Sequence, residues 1–214
     1  MSYEWPVDTT DLFGERHPQM VNAGFPAQDV DAVRGAITDM WRDEPGGWAY
    51  EWSALAARYA EERLHLLAAM AYGWAKFPTL ANEPKRVALA HQLEQYQLAA
   101  PEFEVDFERR VLELPHQGGT TPVAVHLLAS PGLSSDAPVL LASGGVDSWK
   151  MDLHAMFVML ALLTGARVMA FDIAGTGESR VPMTADGGAE IVRGLVAQAR
   201  TRGNGVVAHL GISM

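Results

Sequence analysis

The sequence predicts an α/β protein in which a helical first part is followed by a sheet whose later strands run parallel. Two observations carry this. Apolar residues recur at helical spacing through the first hundred residues and then switch, near Pro101, to a period of two. Beyond the switch, three short apolar runs, 138–142, 167–171 and 205–210, alternate with helical stretches near 151–163 and 185–200. Strand, helix, strand, helix, strand with short connections is the pattern of a right-handed parallel sheet. The expected domains are 1–100 and 101–214.

Taken in order, residues 1–28 hold Pro6, Gly14, Pro18, Gly24 and Pro26 among scattered aromatics and read as an irregular arm. Val30, Val33, Ile37 and Trp41 then mark a helix over 29–43, stopped by Pro45-Gly46-Gly47. Ser53 is an N-cap candidate for one long helix to Phe77, with Leu66, Met70 and Trp74 on a single row and Pro78 ending it. Asn82 caps a third helix, with Pro84 tolerated in its first turn and Leu89, Leu93 and Tyr96 on its apolar stripe. Residues 103–114 form a strand, His116-Gln117-Gly118-Gly119 a turn, and Val123, Val125 and Leu127 the inward positions of a second strand, which makes a hairpin.

Composition narrows the function classes. The chain has 214 residues, 49% of them apolar, and 16 Lys+Arg against 26 Asp+Glu give a net charge of −10. That balance argues against a phosphate-backbone binder or a polybasic membrane-surface protein, so neither nucleic acid nor membrane is an expected partner and a small molecule is. With no cysteine there is no disulfide framework, thiolate zinc site or cysteine nucleophile. Asp152 and His154, two apart, do not share a helix face and make a poor metal pair. No metal and no cofactor is expected. The first residues lack the basic and apolar regions of a secretory signal, and no run of about 18 apolar residues occurs, so a cytoplasmic location is expected.

In an open α/β sheet ligands bind beyond the carboxyl ends of the strands. The first strand exit is Ser143-Gly144-Gly145-Val146-Asp147-Ser148, where paired glycines let backbone N–H groups approach an anion or oxyanion; a turn that merely needs glycine reads the same way. The second is Asp172-Ile173-Ala174-Gly175-Thr176-Gly177-Glu178-Ser179. It is not a dinucleotide fingerprint, because the third glycine position holds Arg180 and Pro182 follows; a structural loop positioned by Asp172 fits better. The third is Gly211-Ile212-Ser213-Met214, four of the five positions of a nucleophile elbow G-x-S-x-G. Gly132-Leu133-Ser134 and Gly177-Glu178-Ser179 also match G-x-S, but Asp136 and Val181 occupy their fifth positions. Only Ser213 directly follows a buried-type apolar strand.

These exits, in this order, resemble the α/β-hydrolase superfamily. Within it, Tyr72-x-Trp74-Ala75-x-Phe77-Pro78, Lys85-Arg86, Tyr96-x-x-Ala99, Glu113-Leu114-Pro115 and Gly144-Gly145-Val146-Asp147-Ser148-x-Lys150 resemble the branch of FrsA-like esterases. That branch also holds the 2,6-dihydroxypseudooxynicotine hydrolase type and the fungal pigment chain-shortening hydrolases. The resemblance spans roughly residues 29–214. It implies an α/β-hydrolase core in 101–214 that reaches the nucleophile elbow, and a helical N-terminal lid in 1–100 packed over the strand exits. The implied activity is a Ser-His-Asp hydrolase cleaving an ester or a ketone-adjacent C–C bond of a small, largely apolar substrate, polyketide or aromatic. Ser213 would be the nucleophile, and the N–H groups of Met214, Gly145 and Val146 the oxyanion hole. Trp149, His154 and Trp74 are candidates for the substrate pocket, with packing as the alternative role.

In this fold the acid and the histidine follow the serine. All seven histidines here precede it, and none carries a motif. His209, two residues before Gly211, reads as an ordinary packed histidine. A second segment or chain completing the core is therefore expected, and a homodimer is left open. Two alternatives stand beside the hydrolase: a non-catalytic binding module derived from a hydrolase that has lost its triad, and an unrelated nucleotide-binding α/β enzyme.

Overall fold

The computed structural model describes residues 6–212. The chain divides between Ala100 and Pro101 into two compact units.

The first unit is helical: α1 (Thr9–Asn22), α2 (Ala27–Ala36), α3 (Trp48–Glu61), α4 (His65–Lys76) and α5 (Glu83–Ala99). Helix α1 corrects the expectation of an irregular arm. Asp8 caps it, accepting from the N–H groups of Thr10 (2.8 Å) and Asp11 (3.0 Å), and Phe13 and Met20 are buried from one side of it. Burial and a good cap outweigh Gly14 and Pro18, whose costs in a helix had argued the other way. Helix α2 stops at Ala36, short of Trp41. Asp39 turns the chain there by accepting from the N–H groups of Trp41 (2.7 Å) and Arg42 (2.6 Å).

The expected long helix over 53–77 is two helices, and Ser53 lies inside α3 rather than capping it. The break falls at Arg63, whose φ of 62° is left-handed and ends the first helix. Hydrophobic periodicity runs on through such a break because both helices bury the same kind of face. Asn82 does cap α5, accepting from the Lys85 N–H at 3.4 Å. Trp48 and Trp52 are fully buried. Phe13 lies 4.9 Å from the Trp48 ring, and Trp74 stacks on Trp52 at 5.9 Å. Lys85, also fully buried, donates to the Phe77 carbonyl (2.5 Å) and lies 5.2 Å over the Trp41 ring. Burial, and then Lys76, pull its pKa down to about 7.

The second unit is a five-stranded sheet with two helices: β1 (Asp106–His116), β2 (Gly119–Ala129), β3 (Val139–Ser143), α6 (His154–Thr164), β4 (Arg167–Phe171), α7 (Ala185–Arg200) and β5 (Val207–Gly211). Strands β1 and β2 form the hairpin expected from the sequence, with Gln117 and Gly118 both at positive φ in its two-residue turn. The strand order is β1-β2-β4-β3-β5. Strand β2 pairs antiparallel with β4, whereas β3 is parallel to both β4 and β5.

Side-chain alternation separates two cores. Val125, Leu141, Met169 and Phe171 meet Ile191 and Leu195 of α7 on one face. Leu128, Ala142, Val168 and Ala170 meet Phe157 and Ala161 of α6 on the other. Helices on both faces explain why the runs in β3 and β4 are continuously apolar. Strand β5 ends the described sheet as an edge, and four of its five residues are exposed. Among the described residues no helix is long and apolar enough to cross a membrane.

Candidate active site

Because β3, β4 and β5 are parallel, their carboxyl ends stand together. Ser143 lies opposite Phe171 on one side and Gly211 on the other. The Ile212 N–H donates to the Ser143 carbonyl (3.0 Å), carrying the ladder one residue past β5. All three strand exits therefore open at one end of the sheet. Ser213 and Met214 lie outside the described residues.

The loop after β3 turns tightly on Gly144. A Cβ there would stand 1.9 Å from the Ser148 carbonyl oxygen, so only glycine allows the two backbone segments to approach this closely. Gly144 is buried, Gly145 half-buried and Val146 60% exposed. Among the described residues, the N–H groups of Gly145 and Val146 have no hydrogen-bond acceptor. Trp149 is buried and ties the loop to itself: its indole N–H donates to the Val146 carbonyl (3.1 Å), and its backbone N–H donates to Asp152 (2.7 Å). Gly145, Val146 and Trp149 thus come together on one loop.

The loop after β4 is organised by Asp172, as its sequence suggested. The buried carboxylate accepts from the Lys150 N–H (2.9 Å), the Lys150 ammonium (2.5 Å) and the Glu178 N–H (2.9 Å). Gly177 makes room for it, since a Cβ there would fall 2.1 Å from Asp172 Oδ2. Glu178 also meets the Lys150 ammonium (2.8 Å) and takes a hydrogen bond from Arg109 (2.5 Å). The Lys150 side chain is fully buried. Burial alone would lower its pKa, but Asp172 and Glu178 outweigh that and raise it, so the ammonium stays charged. This four-residue network was missed in the sequence. Lys150 and Asp172 stood in their loops' motifs, but no local pattern joined them to Glu178 or to Arg109 on β1.

His154, a pocket candidate, begins α6 and packs against Phe103 with ring centroids 4.4 Å apart. His126 stands opposite Arg109 in the β1–β2 ladder, fully buried. Burial lowers the His154 pKa to about 4. Burial first, then the charges of Lys150 and Arg109, and His154, hold His126 well below the ordinary value. Both imidazoles are neutral in the folded state at pH 7. Their stability contribution is present above the unfolded pKa near 6.5 and is lost as pH falls below it, because the unfolded chain binds the protons first. His154 is expected to cost about 2 kcal/mol by pH 5. Thermal unfolding of wild type and His154→Gln between pH 7.5 and 5 checks this, and an equal pH slope in both would refute it. Trp74, the remaining pocket candidate, belongs to the helical unit, where it is half-buried beside Trp52 and Phe77 and its carbonyl accepts from the Trp48 indole N–H (2.6 Å).

Comparison with known proteins agrees with this architecture. AbyA5 superposes with a TM-score of 0.77 at 22% identity, over 96% of this chain and 56% of that one. The 2,6-dihydroxy-pseudo-oxynicotine hydrolase superposes with a TM-score of 0.66 at 24% identity, over 90% of this chain and 56% of that one. The chain thus spans just over half the length of these structures. The search of curated proteins returns no match. The family model described as "Esterase FrsA-like" matches residues 30–199, which take in most of the helical unit, the hairpin, and the loops after β3 and β4. With that match over most of its length, and with an α/β-hydrolase sheet built on the strand order above, the chain belongs to the FrsA-like esterase family.

Proposed function

We propose that this chain carries the nucleophile and the oxyanion hole of a serine hydrolase, with Ser213 attacking the substrate carbonyl. The observation that carries the reading is the pair of N–H groups at Gly145 and Val146, which have no acceptor among the described residues, on the loop that follows β3, the strand beside β5. Gly211, two residues before Ser213 in the sequence, stands opposite Ser143, from which that loop leaves β3. N–H groups held in place before reaction stabilise the developing oxyanion without reorganising, and the Met214 N–H would add a further donor.

The bond cleaved is an ester, or a C–C bond next to a ketone, in a small and largely apolar substrate. One structural neighbour is by its name a hydrolase of 2,6-dihydroxy-pseudo-oxynicotine, which supports a small-molecule substrate. The acid and the histidine that activate Ser213 come in this reading from a further segment or a second chain. The same segment would cover β5, whose Val207, Ala208 and Leu210 form an apolar edge with no charge to discourage pairing between molecules.

A fluorophosphonate probe tests the reading. It phosphonylates an activated serine, the new O–P bond replacing the P–F bond as fluoride leaves, so the full-length protein should be labelled once, with the added mass on the peptide containing Ser213. Labelling elsewhere, or none, would remove the serine-hydrolase reading.

A further inference from the structure

We infer that Lys150 is a positioning residue that holds the oxyanion loop in its working geometry through Asp172 and Glu178. This rests on the serine-hydrolase reading above. The loop in question is the backbone at 144–149, and Lys150 is the residue at which it meets the rest of the unit. Both ends of Lys150 are fastened to one carboxylate: its N–H to Asp172 Oδ1 at 2.9 Å and its ammonium to Asp172 Oδ2 at 2.5 Å. Glu178 holds the ammonium from a second direction at 2.8 Å and is itself braced by Arg109 from β1 at 2.5 Å. Trp149, the residue just before it, passes the restraint to Val146 through its indole hydrogen bond (3.1 Å).

The network is neutral overall, with Lys150 and Arg109 against Asp172 and Glu178, and it joins β1 and the loops after β3 and β4. A buried ion pair often adds little net stability compared with apolar packing. What this arrangement does supply is direction. Donors aimed at an oxyanion lose much of their value when displaced by about 1 Å, and at Gly144 and Gly145 the backbone has no side chain of its own to hold it. Removing the ammonium would leave two carboxylates facing one buried space, and the loop would shift to let one of them reach water or take up a proton.

The test compares full-length wild type with Lys150→Met and with the nearly isosteric Asp172→Asn. Hydrolysis of a nitrophenyl ester is normalised to the sites titrated by the fluorophosphonate, so that unfolded protein does not count. In both variants kcat per site is expected to fall about 10–100-fold with KM within about threefold, because the donors act on the transition state. The inhibition constant of a trifluoromethyl ketone, which forms a tetrahedral oxyanion adduct with the serine, should rise in step with the loss in kcat/KM. A purely structural role would lower Tm and the titratable fraction while leaving kcat per site and ketone affinity unchanged, and that result would overturn the inference. If Lys150→Met does not fold, Asp172→Asn decides by the same readouts. Failure of the wild type to label at Ser213 would instead remove the hydrolase reading and this inference with it.

Discussion

Replacing Ser213 by alanine is expected to lower kcat by a factor of about 10⁴ or more, with KM and thermal stability close to wild type. In the proposed mechanism the serine hydroxyl forms the covalent bond to the substrate acyl carbon, which the methyl group of alanine cannot do. What survives is oxyanion stabilisation and substrate binding, which act on direct attack by water and give only the residual catalysis seen when a nucleophile is removed. Steady-state kinetics on the full-length protein with a nitrophenyl ester, together with a thermal melt, make the measurement. Undiminished turnover in a folded Ser213→Ala variant would end the reading of Ser213 as nucleophile and leave the binding-module alternative as the better account of the fold.

The second large effect is expected at Gly144. In Gly144→Ala the new methyl group would stand 1.9 Å from the Ser148 carbonyl oxygen and 3.2 Å from Leu153 Cδ1. The first of these neighbours is backbone and cannot rotate away, so the loop itself must open. Opening it displaces the Gly145 and Val146 N–H groups, the proposed oxyanion donors, and losing such a donor is expected to cost on the order of 10²–10³ in kcat. The change should also lower Tm, because strain in a buried turn is one of the few routes to a large single-residue loss. Gly188→Ala is the matched control. Gly188 lies in α7 with nothing within 4 Å of an added Cβ, and alanine there should leave kcat unchanged and stabilise the helix slightly. Equal kcat in the Gly144 and Gly188 variants would show that the loop after β3 does not carry the oxyanion hole.

Where a residue's neighbours in space are also its neighbours in sequence, the reading from sequence and the structure agree. The Gln117-Gly118 turn, the alternation of Val123, Val125 and Leu127, the Asn82 cap and the strand 167–171 all rest on local backbone preference and on a period of two or 3.6. The family resemblance was legible for the same reason, since the glycine spacings at the strand exits are short-range patterns forced by tight turns.

Other features were set by contacts distant in sequence. Local propensity opposed α1, and the burial of Phe13 against Trp48, 35 residues later, outweighed it. The left-handed Arg63 split a periodic run that continues on both sides of it. The strand order β1-β2-β4-β3-β5 puts β4 between β2 and β3, an arrangement that equally apolar runs do not distinguish. The charged network is the clearest case: Lys150 and Asp172 are 22 residues apart, and Arg109 and Glu178 are 69 apart. The sequence by itself determined which segments are strands, where glycine is required and which serine follows the last apolar run. Only the tertiary structure decided which charges share a buried space, because that pairing follows from strand order and register, and no local period encodes either.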